Sequence, residues 1–137
     1  MSQSETCFYY WGYQVGINIM RILRFEDSIA WQKSKVLVFD VYTCFKNIKD
    51  YSFKDQIQRA ALSVMNNIAE GFERGTNKEL LHFLYIAKGS CGEVRSMLYM
   101  AQLQHYISVK DFDKIKEGAE EISKIISGLI KKIPTSL

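Results

Sequence analysis

The stretch Leu80-Leu-His-Phe-Leu-Tyr-Ile-Ala-Lys-Gly-Ser-Cys-Gly-Glu-Val-Arg-Ser-Met-Leu-Tyr-Met-Ala101 decides the fold. Leu80, Leu84, Ala87, Cys91, Val94, Leu98 and Ala101 follow one another in alternating steps of four and three, without interruption over three heptads. An α-helix turns once in about 3.6 residues, so these side chains form one apolar line along a helix, the pattern of helices packed side by side. Such a helix gains little from propensity alone and depends on burying its line against neighbours. The rest of the chain must supply them.

Three further segments carry the same period. The first, about Asp27 to Ile48, places Trp31, Val38, Tyr42 and Phe45 on one stripe and Leu37, Val41, Cys44 and Ile48 on the next. The second, about Phe53 to Glu73, carries Ile57, Ala61, Val64 and Ile68. Ser52 stands three residues before Asp55, the spacing of a capping box with Asp in place of Glu or Gln, and Gly71 and Gly75 read as the stop. Thr76 with Glu79 repeats the cap for the third segment, which reaches about Tyr106, and Ser108 with Asp111 opens the fourth. Phe112, Ile115, Ala119, Ile122, Ile126, Leu129 and Ile133 form the fourth line, and Pro134 ends it. Helices of this length joined by short linkers must lie antiparallel, so the expected fold is all-α, an up-down-up-down four-helix bundle over residues 25–137. The wide apolar face of the first helix, with Phe83, Ile86, Met97 and Met100 outside the third helix's line, exceeds what one bundle interior covers and predicts a homo-oligomer.

Composition agrees. The chain has 137 residues, enough for one domain, with 47% hydrophobic and 24% charged residues, so a core can form. A single proline leaves too few turn signals for a sandwich or barrel. The net charge is +3, and 107–137, the most charged segment, still holds six basic and five acidic groups, so no basic arm marks a monomeric nucleic-acid binder. Cys7, Cys44 and Cys91 are too scattered for a disulfide framework or zinc site, and there is no apolar run long enough for a signal peptide or membrane span. A cytoplasmic protein is expected. Residues 1–24 differ in character: Cys7, Phe8, Tyr9, Tyr10, Trp11 and Tyr13 crowd together without helical period, and Met20 offers a second start. This arm reads either as upstream sequence or as a segment that docks on a neighbouring surface.

Beside the second helix's apolar line runs a polar one, Gln56, Ser63 and Glu70 at steps of seven, with Arg59, Asn66 and Asn67 between. Polar groups at the edge of a core are partly desolvated, and leaving one unpaired costs about 1–3 kcal/mol, so pairing across helices is expected, Arg59 with a carboxylate first. Gln56, Arg59, Ser63, Asn67 and Glu70 are therefore a candidate structural stripe.

The run from Gln56 through Ser63, Asn66-Asn67 and Glu70-Gly71 to Arg74-Gly75 resembles the signature of the four-helix bundle proteins first named for intervening sequences in 23S ribosomal RNA genes. Phe25 with Trp31-Gln32, Tyr51-Ser52, and Phe83-Leu84 through Gly89-Ser90 to Glu93 resemble further motifs of that family, so the likeness covers about Phe25 to Ile133. It implies a left-handed bundle, a ring-shaped homopentamer and no established reaction. A related branch, the accessory variability proteins of diversity-generating retroelements, binds nucleic acid and a reverse transcriptase. By that likeness, a ring would gather Lys33, Lys35, Arg59, Arg74, Lys78 and Lys88 into one surface for RNA or DNA. The alternative is a scaffold for another protein.

Catalytic chemistry finds little support. Glu79 and His82 have the spacing of a di-iron ligand pair, but His105 has Gln102 where the second pair needs a glutamate. Cys44, Cys91, Ser63 and Ser90 share a stripe with no histidine base, Ala60, Gly89 and Gly92 read as close-packing residues, and Glu93 is matched by Arg95 as an ion pair. No catalytic residue, cofactor or metal is expected.

Overall fold

The computed structural model describes residues 24–135. A 3₁₀ turn, Phe25–Asp27, leads into four helices: α1 Ile29–Phe45, α2 Tyr51–Glu73, α3 Asn77–Leu103 and α4 Val109–Lys132. Among the described residues there is no strand. The aromatic arm expected over residues 1–24 lies outside the described residues, apart from Arg24.

Each helix packs on the next and α1 closes onto α4, so the four form a ring of neighbours. Cross-helix contacts fix the directions. Lys33 meets Glu121 and Asp40 meets Lys114, so residue numbers rise along α1 as they fall along α4. Gln56 meets Glu93 and Ser63 meets Ser90 with the same inversion between α2 and α3. Phe45 at the end of α1 packs its ring, tilted by 59°, against Phe53 at the start of α2. Neighbours are antiparallel, as the short connections require.

The α3 line is buried throughout, from Leu80 to Ala101, and faces Ile57, Ala61, Val64 and Ile68 of α2 and Phe112, Ile115, Ala119, Ile122 and Ile126 of α4, all buried. On α1 the two expected stripes resolve into one line: Ala30, Ser34, Leu37, Val41 and Phe45. Trp31, Val38, Cys44 and Ile48 flank it half-buried, and Tyr42 turns out to be 41% exposed. A helix with two neighbours has one inward line, which takes Phe45 from one stripe and Leu37 and Val41 from the other. Ser34 joins it because its hydroxyl donates to the Ala30 carbonyl at 2.6 Å, leaving no polar atom unpaired in the core.

The helix ends differ from the sequence reading in four places. The first segment divides into the 3₁₀ turn and a shorter α1. The cap of α2 is Asp50, whose carboxylate accepts from the Phe53 amide, and Ser52 falls inside the first turn. Gly71 does not close α2 but lies buried within it. A Cβ there would sit 3.0 Å from the Phe83 Cβ and 3.2 Å from Leu80 Cδ1, so the approach of α3 leaves a side chain at this position in tight contact. The stop is Gly75, with φ +84°. Helix α3 ends at Leu103 because His105 takes φ +60°; the amides of His105 and Tyr106 then donate to the Gln102 and Ala101 carbonyls, a Schellman closure built on a non-glycine residue. The caps of α3 and α4 are Thr76 and Ser108, as the sequence predicts, accepting from the amides of Glu79 and Asp111.

In chemical denaturation, Gly71→Ala should lower stability by about 1–3 kcal/mol, since the added methyl overpacks the α2–α3 contact. His105→Gly should raise it by about 0.5–1 kcal/mol by removing the left-handed strain.

Candidate functional site

The polar stripe of α2 lies along its edge with α3, but only part of it crosses. The Gln56 amide donates to Glu93 Oε1 at 2.6 Å. The Ser63 and Ser90 hydroxyls lie 2.8 Å apart, and Asn67 Nδ2 donates to both the Ser63 carbonyl and its hydroxyl, at 2.8 and 2.9 Å. The Ser63, Ser90 and Asn67 bonds form a part-buried ladder of small polar groups in the seam, and the Gln56–Glu93 bond continues it at the exposed rim.

Arg59 and Glu70 do not bridge helices. Arg59 Nε donates to Asp55 at 2.8 Å, and Glu70 accepts from Arg74 at 2.9 Å, both four residues apart on α2 and both well exposed. A long side chain at the rim reaches a partner one turn away more cheaply than one across a seam, and an acid preceding a base at this spacing is the favourable order. Arg74 also lies over the Phe83 ring, 5.1 Å from its centroid. Glu93, expected beside Arg95, is taken by Gln56, and Arg95 Nε is buried without a hydrogen-bond partner. Gly89 has open space where a Cβ would be, so no helix packs closely over it.

The six candidate nucleic-acid contacts are dispersed. Lys33 pairs with Glu121 at the α1–α4 edge, Lys35 lies over the Trp31 ring, and Arg59 and Arg74 are paired on α2. Lys78 and Lys88 on α3 are exposed and have no ion pair among the described residues.

A cleft of about 350 Å³ opens at the other end of the α2–α3 edge, lined by Asp50, Phe53, Met97, Met100, Gln104 and Tyr106. Two of its polar groups, Asp50 and Tyr106, engage each other. Asp50 caps α2 through one oxygen and accepts from the Tyr106 hydroxyl, at 2.9 Å, through the other. That hydrogen bond, with desolvation and the carboxylate's charge, raises the Tyr106 pKa above the usual phenol value. Burial pushes the Cys91 thiol up to about 12, and burial with the nearby Asp111 and Asp40 carboxylates raises Cys44, so neither is an activated nucleophile. Among the described residues no three His, Cys, Asp or Glu converge as metal ligands, and no helix is long and apolar enough to cross a membrane. No feature of the site indicates catalysis.

The family model of the 23S rRNA-intervening sequence protein matches residues 26–128. The chain belongs to that family. Among solved structures, it is similar to a 1.70 Å crystal structure of a Bacteroides thetaiotaomicron VPI-5482 protein of unknown function from the S23 ribosomal protein family. The TM-score is 0.72 at 22% identity, covering 75% of this chain and 99% of that one, a likeness of fold. No curated protein matches the chain. Within this intervening-sequence bundle, the ladder residues and the Gly71 approach lie on the run of α2 that carried the sequence resemblance. Their spacing was legible, whereas their partners on α3 depend on helix register. Arg95, expected to pair with Glu93, instead has its Nε unpartnered, because Gln56 takes that carboxylate from across the seam.

Ser63→Ala and Ser90→Ala should each cost about 0.5–1.5 kcal/mol, and the double variant less than their sum, because removing both hydroxyls leaves neither unpaired. Glu70→Ala should cost no more than about 1 kcal/mol, as suits an exposed pair. A folded-state pKa raised above the unfolded value gives stabilisation that is complete below about pH 10 and lost as pH rises through the folded value. Tyr106→Phe should therefore flatten the fall of stability above about pH 10, followed by denaturant melts across alkaline pH.

Proposed function

We propose that this protein is a non-enzymatic, cytoplasmic assembly module that closes into a homopentameric ring and presents a surface for nucleic acid. The observation that carries the assembly is the placement of its uncovered apolar side chains. Val36 and Phe39 of α1 and Ile86, Met100 and Leu103 of α3 are exposed, Phe39 by 70% and Leu103 by 72%. Helices α1 and α3 face each other across the bundle's diagonal, so these faces point in opposite directions. Two different faces on opposite sides favour head-to-tail contacts, and such contacts close into rings. Five copies is the number the family resemblance implies.

The nucleic-acid reading is supported by the exposed Lys78 and Lys88 and by repetition around a ring, which multiplies a modest patch into a larger field. The scaffold reading is favoured by a different observation, the pairing of Lys33, Arg59 and Arg74 with carboxylates.

Light scattering should give a multiple of 15.9 kDa, and Phe39→Glu or Ile86→Glu alone should break the ring. Mixing the two variants should restore a dimer, because each retains the face the other lacks; a self-complementary interface would stay broken. Affinity of the intact oligomer for RNA or DNA should fall by orders of magnitude between about 50 and 200 mM salt. No binding at 50 mM would leave the scaffold reading.

A further inference from the structure

Tyr85, Lys88, Gly92, Arg95 and Tyr99 succeed one another in steps of three and four, forming one line along the edge of α3 beside α4. None of it belongs to the core line. Tyr85 is 58% and Tyr99 50% exposed, and the edge of one aromatic ring against the other holds Tyr99 to Phe112 of α4, with centroids 5.4 Å apart. One ring surface is thus anchored while the rest faces outward. The two tyrosines are separated by about 21 Å along the helix at about 1.5 Å per residue, and the two cations lie between them. Gly92 leaves the middle of the line without a side chain, and the Arg95 guanidinium lies back over it, 3.7 Å from where a Cβ would stand. In that position Arg95 Nε is buried and lacks an acceptor. On α4, Lys116 borders the same seam, 3.5 Å from Glu120 and close enough to the Tyr99 hydroxyl for Glu120 first and Tyr99 second to raise its pKa.

We infer that this α3–α4 seam binds single-stranded polynucleotide, Tyr85 and Tyr99 stacking bases and Lys88, Arg95 and Lys116 taking the intervening phosphates. The inference rests on the nucleic-acid reading above and, of the dispersed lysines and arginines considered there, keeps only Lys88. Cations interleaved with exposed aromatic rings along a shallow track are the means by which proteins hold single strands without reading sequence. An incoming phosphate gives Arg95 the acceptor it lacks when the guanidinium lifts off Gly92. Glu120 is the carboxylate in contact with this track, so it competes with phosphate for Lys116. A duplex keeps its bases stacked internally and offers nothing to the tyrosines.

The test uses the full-length oligomer with fluorescein-labelled U12, dT12 and a 12-base-pair duplex at 50 mM salt, each variant checked for unchanged mass and melting. Lys88→Gln and Arg95→Gln should each weaken single-strand binding several-fold and reduce the salt slope by about 0.7. Tyr85→Leu should weaken it roughly tenfold at constant slope, and Glu120→Gln should tighten it. Preference for U12 identifies RNA, and equal binding identifies any single strand. Wild-type affinity in both Lys88→Gln and Arg95→Gln, or duplex binding as tight as single-strand binding, would overturn the seam while leaving the nucleic-acid reading intact. Failure of the wild type to bind any probe would overturn both. Should Arg95→Gln lose stability, the exposed Lys88 and Tyr85 variants decide the matter.

Discussion

The bundle depends on how closely α2 approaches α3. Gly71 lets Leu80 and Phe83 come so close that an added Cβ would press on both, and the Ser63 and Ser90 hydroxyls meet midway along the same seam. Dispersion forces gain from tight packing but slide easily along a uniform apolar line, whereas a hydroxyl pair and a glycine notch each have one satisfactory register. Once that register is set, the α3 line meets the α2 line, and the remaining flank of α3 is left for α4. The short connections then leave α1 the place between α2 and α4.

The helices were legible because burial imposes a period on sequence, and each helix devotes one line to the interior. The α3 line, read as seven residues, is buried as seven. On α1 the sequence shows more apolar residues than the interior takes, since only the neighbours decide which face turns inward. Ends were less legible for a different reason. Asp50 and Ser52 are both acceptable caps, and the choice falls to Asp50, whose second oxygen also receives Tyr106 from 56 residues away. The reversal at His105 uses a residue type that carries no such signal in sequence.

For the polar stripe, spacing identified the right edge of α2 but assigned the wrong geometry to its charges. Gln56, Ser63 and Asn67 have short or neutral side chains that reach across or along the seam. Arg59 and Glu70 have long charged ones, for which an exposed partner on the same helix keeps both groups solvated. Desolvation therefore sorts the stripe: the Ser63 hydroxyl and the Asn67 amide lie part-buried, while Arg59, Glu70 and the Gln56 pairing with Glu93 stay exposed. The same sorting places acids beside bases at the surface, within α2 at Asp55–Arg59 and Glu70–Arg74 and between α1 and α4 at Lys33–Glu121 and Asp40–Lys114. On α3, Lys78 and Lys88 stand outside these pairs.

The buried Cys91 gives the molecule an internal clock. Its thiol lies fully covered at the centre of the α3 line and stays protonated at neutral pH, so an alkylating reagent can reach it only when the helices part. Cys44, half-buried on α1, is within easier reach. The ratio of their modification rates thus reports how often the bundle breathes at its centre relative to its edge. Because α3 also carries the uncovered apolar residues and the aromatic track, any partner that settles on its outer surface should slow that clock from outside, without touching the sulfur.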